Sequence, residues 1–92
     1  MTFREAMRAM KFRVPVKLCG PTAVMYGALE FQRIAEVSYW FDDYGRLHRS
    51  VDCIEERNGR QISRGTHDMK DVEVSDTAPE ILRRQVYEEE AK

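Results

Sequence analysis

Apolar side chains recur with helical spacing at the start of the chain and with strand spacing through its middle. Phe3, Ala6, Met7 and Met10 fall at i, i+3, i+4 and i+7, which predicts one apolar stripe on a helix over residues 2–11. Thr2 and Glu5 precede it with capping-box spacing: the hydroxyl can accept from a free amide while the carboxylate reaches back to the amide of Thr2. About ten residues do not hold a helix alone in water, so the stripe must dock on another element. Residues 14–19 then alternate, with Val14, Val16 and Leu18 on one face; Pro15 points to an edge strand, because proline cannot donate to a ladder. Gly20 and Pro21 end it, and the irregular apolar stretch from Thr22 to Gly27 reads as a loop packed over the core.

The longest alternation covers residues 29–41. Leu29, Phe31, Ala35, Val37, Tyr39 and Phe41 share one parity, while Ile34 and Trp40 share the other, so a bend or bulge near Gln32–Arg33 is expected to switch the face. Asp42, Asp43, Tyr44 and Gly45 form a turn. The next strand is expected over residues 46–56, with Leu47, Val51 and Cys53 on one face. Asn58–Gly59 is the strongest hairpin signal, pairing residues 60–65 back. Asp68 can cap one helical turn over Met69–Lys70, and Val72–Glu73–Val74 makes a last short strand. Thr77 and Glu80 repeat the capping-box spacing ahead of a helix over residues 78–88; Glu88, Glu89 and Glu90 oppose its dipole, so its end is expected to fray.

Five short strands with tight turns, and a helical turn before the last, resemble an SH3-like barrel over residues 14–74. The expected fold is thus one α+β domain over residues 1–92, with a helix at each end of the barrel. The alternative is an open antiparallel sheet with both helices on one face. The acidic-aromatic peptide-binding signature of signalling SH3 domains is not present in the sequence.

Composition and charge narrow the function classes. The 92 residues are 42% hydrophobic and 34% charged, a globular rather than a disordered composition. The 15 basic and 16 acidic residues leave a net charge of −1, which fits neither a strongly basic nucleic-acid binder nor an acidic tail protein. The charge is nonetheless dipolar. Arg4, Arg8, Lys11, Arg13 and Lys17 face only Glu5 in residues 1–20, whereas residues 68–92 are net acidic. No apolar run has the length of a membrane helix, Arg4, Glu5 and Arg8 interrupt any signal-peptide stretch, and two cysteines make no disulfide framework. The expectation is a cytoplasmic protein with reduced thiols and no membrane partner.

Thr2-Phe3-Arg4-Glu5-Ala6 with Met10-Lys11 resembles the opening of many short proteins of bacterial phages and conjugative elements. Met69-Lys70-Asp71-Val72-Glu73-Val74 resembles their closing strand. The resemblance implies a mobile-element origin. One such phage family, with a similar helix-then-barrel layout, sequesters cyclic nucleotide signals of host defence. The tryptophans of that family after the first strand and at the last have no counterpart here, so none of its binding residues carries over.

Candidate chemistry is sparse. Cys19, Cys53, His48 and His67 are metal-ligand types, but no two have the local spacing of a zinc site. No nucleophile elbow or Gly-rich phosphate loop is present; Ser38, Ser50 and Ser63 lie in strands, and Asp42 and Asp43 read as solvated turn residues. No catalytic residue, metal or cofactor is therefore assigned, and no enzyme activity is expected. Two surfaces remain. In the run Tyr39-Trp40-Phe41, the simplest reading buries Tyr39 and Phe41 in the core and lays Trp40 on a docked helix. The sharper reading makes Trp40 the anchor of a protein interface, or of self-association, with Arg33 and Arg49 beside it. Alternatively, Arg46, Arg49, Arg57, Arg60 and Arg64 with Tyr44 form a basic hairpin face that follows a phosphate backbone and stacks a base. A small protein-interaction module is the favoured function, nucleic-acid binding the alternative and nucleotide sequestration a distant third. Strands Val14–Leu18 and Gln61–Arg64 are the candidate edges for pairing with another chain.

Overall fold

In a computed structural model that describes residues 1–27 and 29–87, the first helix, α1 (Phe3–Lys11), begins as its capping spacing predicts. Thr2 Oγ1 accepts from the Glu5 amide at 3.1 Å, and Glu5 Oε1 accepts from the Thr2 amide at 2.8 Å. The buried face of α1 is Ala6 and Ala9, both fully enclosed, whereas Phe3 and Met7 of the expected stripe stay partly exposed at its flank. Two alanines three residues apart let the helix backbone lie close to the sheet, and α1 rests on the third strand.

The remaining elements are β1 (Val16–Leu18), α2 (Gly20–Tyr26), β2 (Glu30–Phe31), β3 (Arg33–Phe41), β4 (Leu47–Arg57), β5 (Arg60–Asp68), a 3-10 turn (Met69–Asp71), β6 (Val72–Val74) and α3 (Glu80–Tyr87). The Thr22–Gly27 stretch, expected to be a loop, thus belongs mostly to a short helix that buries none of its residues. Its first turn accepts Pro21, whose missing amide would have no helical partner there. The last helix starts at Glu80 rather than residue 78. Ser75 organises the turn before it: its Oγ donates to Glu30 Oε1 at 2.6 Å and accepts from the Thr77 amide at 3.2 Å. Residue 88 and the expected fraying at Glu88–Glu90 lie outside the described residues.

The SH3-like five-stranded barrel is not what forms. The six strands make two separate three-stranded antiparallel sheets, ordered β2-β1-β6 and β3-β4-β5, and neither closes. The alternation read as one strand over residues 29–41 breaks at Gln32. Before the break, Phe31 pairs with Val16 of β1; after it, Arg33 pairs with Ile54 of β4. The Gln32 amide donates to the Ile54 carbonyl at 2.9 Å, and Arg33 Nε meets Glu56 Oε1 at 2.7 Å, so the switch point is held on both sides. Closure fails because the first sheet is built from strands of two or three residues, too short to curl round and pair with the long hairpin. β1 is the central strand of its sheet rather than an edge, with β2 on one side and β6 on the other. Val14–Leu18 therefore offers no free edge, while β5, which contains Gln61–Arg64, has one.

The core lies where the two sheets and the helices meet. Val14, Val16 and Leu18 enter it from the first sheet, as their alternation predicts. Ile34, Val51 and Cys53 enter from the second, Met69 from the 3-10 turn, and Val86 from α3. A bulge at Ala35 shifts the β3 register from Ile34–Cys53 to Glu36–Asp52, so Ile34 and Val37 both face inward. On the outer side of β6, the Val74 amide donates to the Tyr87 hydroxyl at 2.8 Å, so that edge amide has a partner.

The turn between β4 and β5 has Asn58 at φ 52° and Gly59 at φ 76°, the left-handed pair of a type I′ hairpin. A Cβ on Gly59 would touch nothing within 4 Å, so only its backbone conformation is at stake. Gly59→Ala is expected to cost about 1–2 kcal/mol in urea unfolding, with the native circular dichroism unchanged; an unchanged midpoint would show that the turn is not strained by a side chain.

Candidate functional site

The β3–β4 hairpin is longer than anything that covers it. Pairing of β4 with β5 stops at Ser50–Asp68, but pairing of β3 with β4 continues through Tyr39–Arg49, Trp40–His48 and Phe41–Leu47. These three rungs project beyond the end of β5. Directly opposed residues share a face, so Tyr39, Phe41, Leu47 and Arg49 continue the core face outward, while Trp40 and His48 lie on the reverse. A nine-residue helix spans only about 13 Å, against about 30 Å for nine strand residues. α1 consequently reaches only to the root of the overhang, where the Phe3 ring meets Tyr39 edge-on at 5.7 Å.

The outcome corrects the simplest reading of the aromatic run. Tyr39 is 62% exposed, Phe41 67%, Trp40 51% and Leu47 43%, with Phe3 beside them at 40%. Their parity is that of the core, but the described elements leave them largely exposed. Trp40, expected to lie on a docked helix, instead stacks on His48, with ring centroids 4.3 Å apart. Thr2, Phe3, Arg4, Tyr39, Leu47 and Arg49 line a shallow hollow of about 520 Å³ at the root of the overhang.

The turn at the hairpin tip is tied together by Asp42. Its Oδ1 accepts from the amides of Tyr44 (2.8 Å) and Arg46 (2.9 Å), and its Oδ2 lies 2.8 Å from His48 Nε2. Gly45, at φ 76°, completes a type I turn with the one left-handed residue that the three-residue loop requires. The His48 hydrogen bond and then the Arg46 amide hold the Asp42 carboxyl below its ordinary range. Asp42 is thus a turn organiser as well as a solvated turn residue, and it steadies His48 beneath Trp40.

The residues expected to form one interface do not converge. Arg33 sits at the opposite end of β3 from Trp40 and is engaged with Glu56. Arg49 faces away from Trp40, alongside Tyr39 and Phe3. The six residues of the basic hairpin face are also divided. Tyr44 and Arg46 are at one tip of the second sheet; Arg57 and Arg60 pair across the turn at the other. The eleven residues of β4 between these turns span about 35 Å. Arg64 is held by Asp52 at 2.7 Å and Glu36 at 3.2 Å, within a polar outer face where Thr66 also donates to Asp52. Sequence reasoning missed Phe3 and Leu47, and it assigned Tyr39 and Phe41 to the core. The available signal was the mismatch between a short predicted helix and two long predicted strands.

Other chemistry is thinly provided. Among the described residues no group of three or more His, Cys, Asp or Glu is arranged to hold a metal ion. Burial pushes the Cys53 thiol up to about 12, and the half-buried Cys19 thiol is also raised, chiefly by burial. No described helix is long and apolar enough to cross a membrane. Comparison of the chain with family models, with curated proteins and with solved structures finds no match in any of the three.

Two outcomes follow from this electrostatic environment. Asp42 has a folded-state pKa below its unfolded value. Its stabilisation is therefore intact above that value and lost as pH falls through the folded one. Asp42→Asn should flatten the acid-side loss of stability in urea unfolding followed through Trp40 fluorescence; an identical acid limb would remove Asp42 from the account. In the native protein, iodoacetamide should modify Cys19 and leave Cys53 intact until denaturant is added, as counted by peptide mass spectrometry. Native labelling of Cys53 at an equal rate would contradict its burial.

Proposed function

We propose that this chain is a small, non-enzymatic protein-interaction module of the cytoplasm, and that the overhanging end of the β3–β4 hairpin is its binding surface. The observation that carries the reading is the continuation of the core face past α1, which leaves Tyr39, Phe41, Leu47 and Phe3 as one apolar strip. Scattered apolar residues on a surface are ordinary, but a contiguous aromatic strip rimmed by charge is typical of docking sites. Arg4 and Arg49 provide that rim at the hollow. Tyrosine, tryptophan and arginine are also the residue types that dominate interface energetics, because each combines a large rigid contact with a polar group.

The strip favours a protein ligand over a nucleic acid. A phosphate backbone needs cations along a continuous track, and here the hairpin arginines are separated by the length of β4 or engaged by carboxylates. Trp40 retains its role as an anchor on the reverse face, steadied by His48, but Arg33 has no part in the same contact.

Burying the rest of Phe41 would contribute about 1–2 kcal/mol, and placing a carboxylate there would reverse that gain. Panning a displayed random-peptide library against the wild type and against Phe41→Glu tests the reading. Apolar peptides that bind the wild type and bind the variant at least tenfold more weakly are the expected outcome. Peptides that ignore the substitution, or salt-sensitive micromolar binding of labelled single-stranded DNA without peptide binding, would overturn it.

A further inference from the structure

We infer that the occupant of the hairpin strip is a second copy of this chain, docked face to face about a two-fold axis; the inference rests on the proposed binding surface. Three observations carry it. The first is architectural. α1 covers only the root of the β3–β4 face, and the described elements leave Tyr39, Phe41 and Leu47 of that face exposed. Two such faces laid together make the sheet-on-sheet packing that half-covered sheets adopt.

The second is area. The exposed fractions of Phe3, Tyr39, Phe41 and Leu47 amount to about two whole side chains. At about 200 Å² for each large side chain, that is on the order of 400 Å². A stable pair needs about 800 Å² from each partner. The strip supplies about half of that, and its charged rim adds to it, which suits a micromolar rather than a permanent dimer.

The third is charge. Along the hairpin the strip has cations at its root, Arg4 and Arg49, and the exposed turn residue Asp43 at its tip, where Arg46, opposite Asp42, falls on the reverse face with Trp40 and His48. None of Arg4, Arg49 and Asp43 makes an ion pair with any described residue. A two-fold axis through the middle of the strip runs the two hairpins antiparallel, bringing the tip of each copy over the root of the other. Asp43 of one copy then meets Arg4 and the capped start of α1 in its partner, twice in the pair. A surface with like charge at both ends would repel itself in this arrangement, whereas this one is self-complementary.

Sedimentation velocity from low micromolar to millimolar concentration tests the assignment. The wild type is expected to dimerise, and Phe41→Glu to remain monomeric with an unchanged urea midpoint. Asp43→Arg should weaken the dimer about tenfold, and adding Arg4→Asp to it should restore the wild-type affinity, which a merely structural effect would not do. A wild type that stays monomeric throughout overturns the dimer. If the panned peptides still discriminate Phe41→Glu, the surface stands with a different protein on it; if they do not, both readings fall. A dimer indifferent to Phe41→Glu and broken by Val24→Glu would move the interface to the exposed helix α2, and also overturns the proposal.

Discussion

The length of α1 against the length of the hairpin it covers governs much of this molecule. A helix advances by about 1.5 Å per residue and a strand by about 3.3 Å, so elements of equal residue count differ more than twofold in reach. α1 and β3 each have nine residues. The helix lies close through Ala6 and Ala9, packs on β3 where Ile34 is buried and Val37 partly so, and ends before the outer rungs. Phe41 and Leu47, beyond Tyr39, inherit the core-facing pattern, and the described elements leave both exposed. The candidate site is thus the part of the sheet face that the core left uncovered.

A second constraint acts at Gln32. Pairing with β1 on one side and with β4 on the other cannot be served by one straight strand, because the two partners belong to different sheets. The chain bends there, the Arg33–Glu56 pair and the Gln32 amide fix the exit direction, and the bulge at Ala35 restores the inward parity. The bend sends β3 and β4 away from the first sheet as a long hairpin. Strands of two and three residues cannot follow it, so the sheets stay separate and the overhang stays free.

At the tip, the turn is rigid for its size. Asp42 engages two amides and His48, and His48 supports Trp40 from below. An interaction surface gains from such support, since side chains already held in place lose less freedom on binding. The reverse face, by contrast, is occupied by its own partners: Arg64, Asp52, Glu36 and Thr66 satisfy one another across three strands. That network makes the middle of the sheet an ordinary solvated face and confines the interaction chemistry to the end.

Local signals in the sequence determined the elements that depend on neighbouring residues alone. The Thr2–Glu5 capping box, the Asn58–Gly59 hairpin, the Asp68 cap on the 3-10 turn, the last strand Val72–Val74, and the inward set Val14, Val16 and Leu18 were all legible, since each is a matter of spacing or of a backbone angle that few residues adopt. Gln32 was legible as a bend, but which strand each half would join was not, because the partners, Val16 for Phe31 and Ile54 for Arg33, lie far along the chain in opposite directions. The parity of Tyr39 and Phe41 was also written in the chain, while their exposure was not. Periodicity says which way a side chain points, and only the tertiary structure decides whether another element lies over it. The same limit separated Arg33 and Arg49 from Trp40 and divided the hairpin arginines between two ends: charge is a property of the sequence, but its grouping is set by strand length, register and the carboxylates that reach it first.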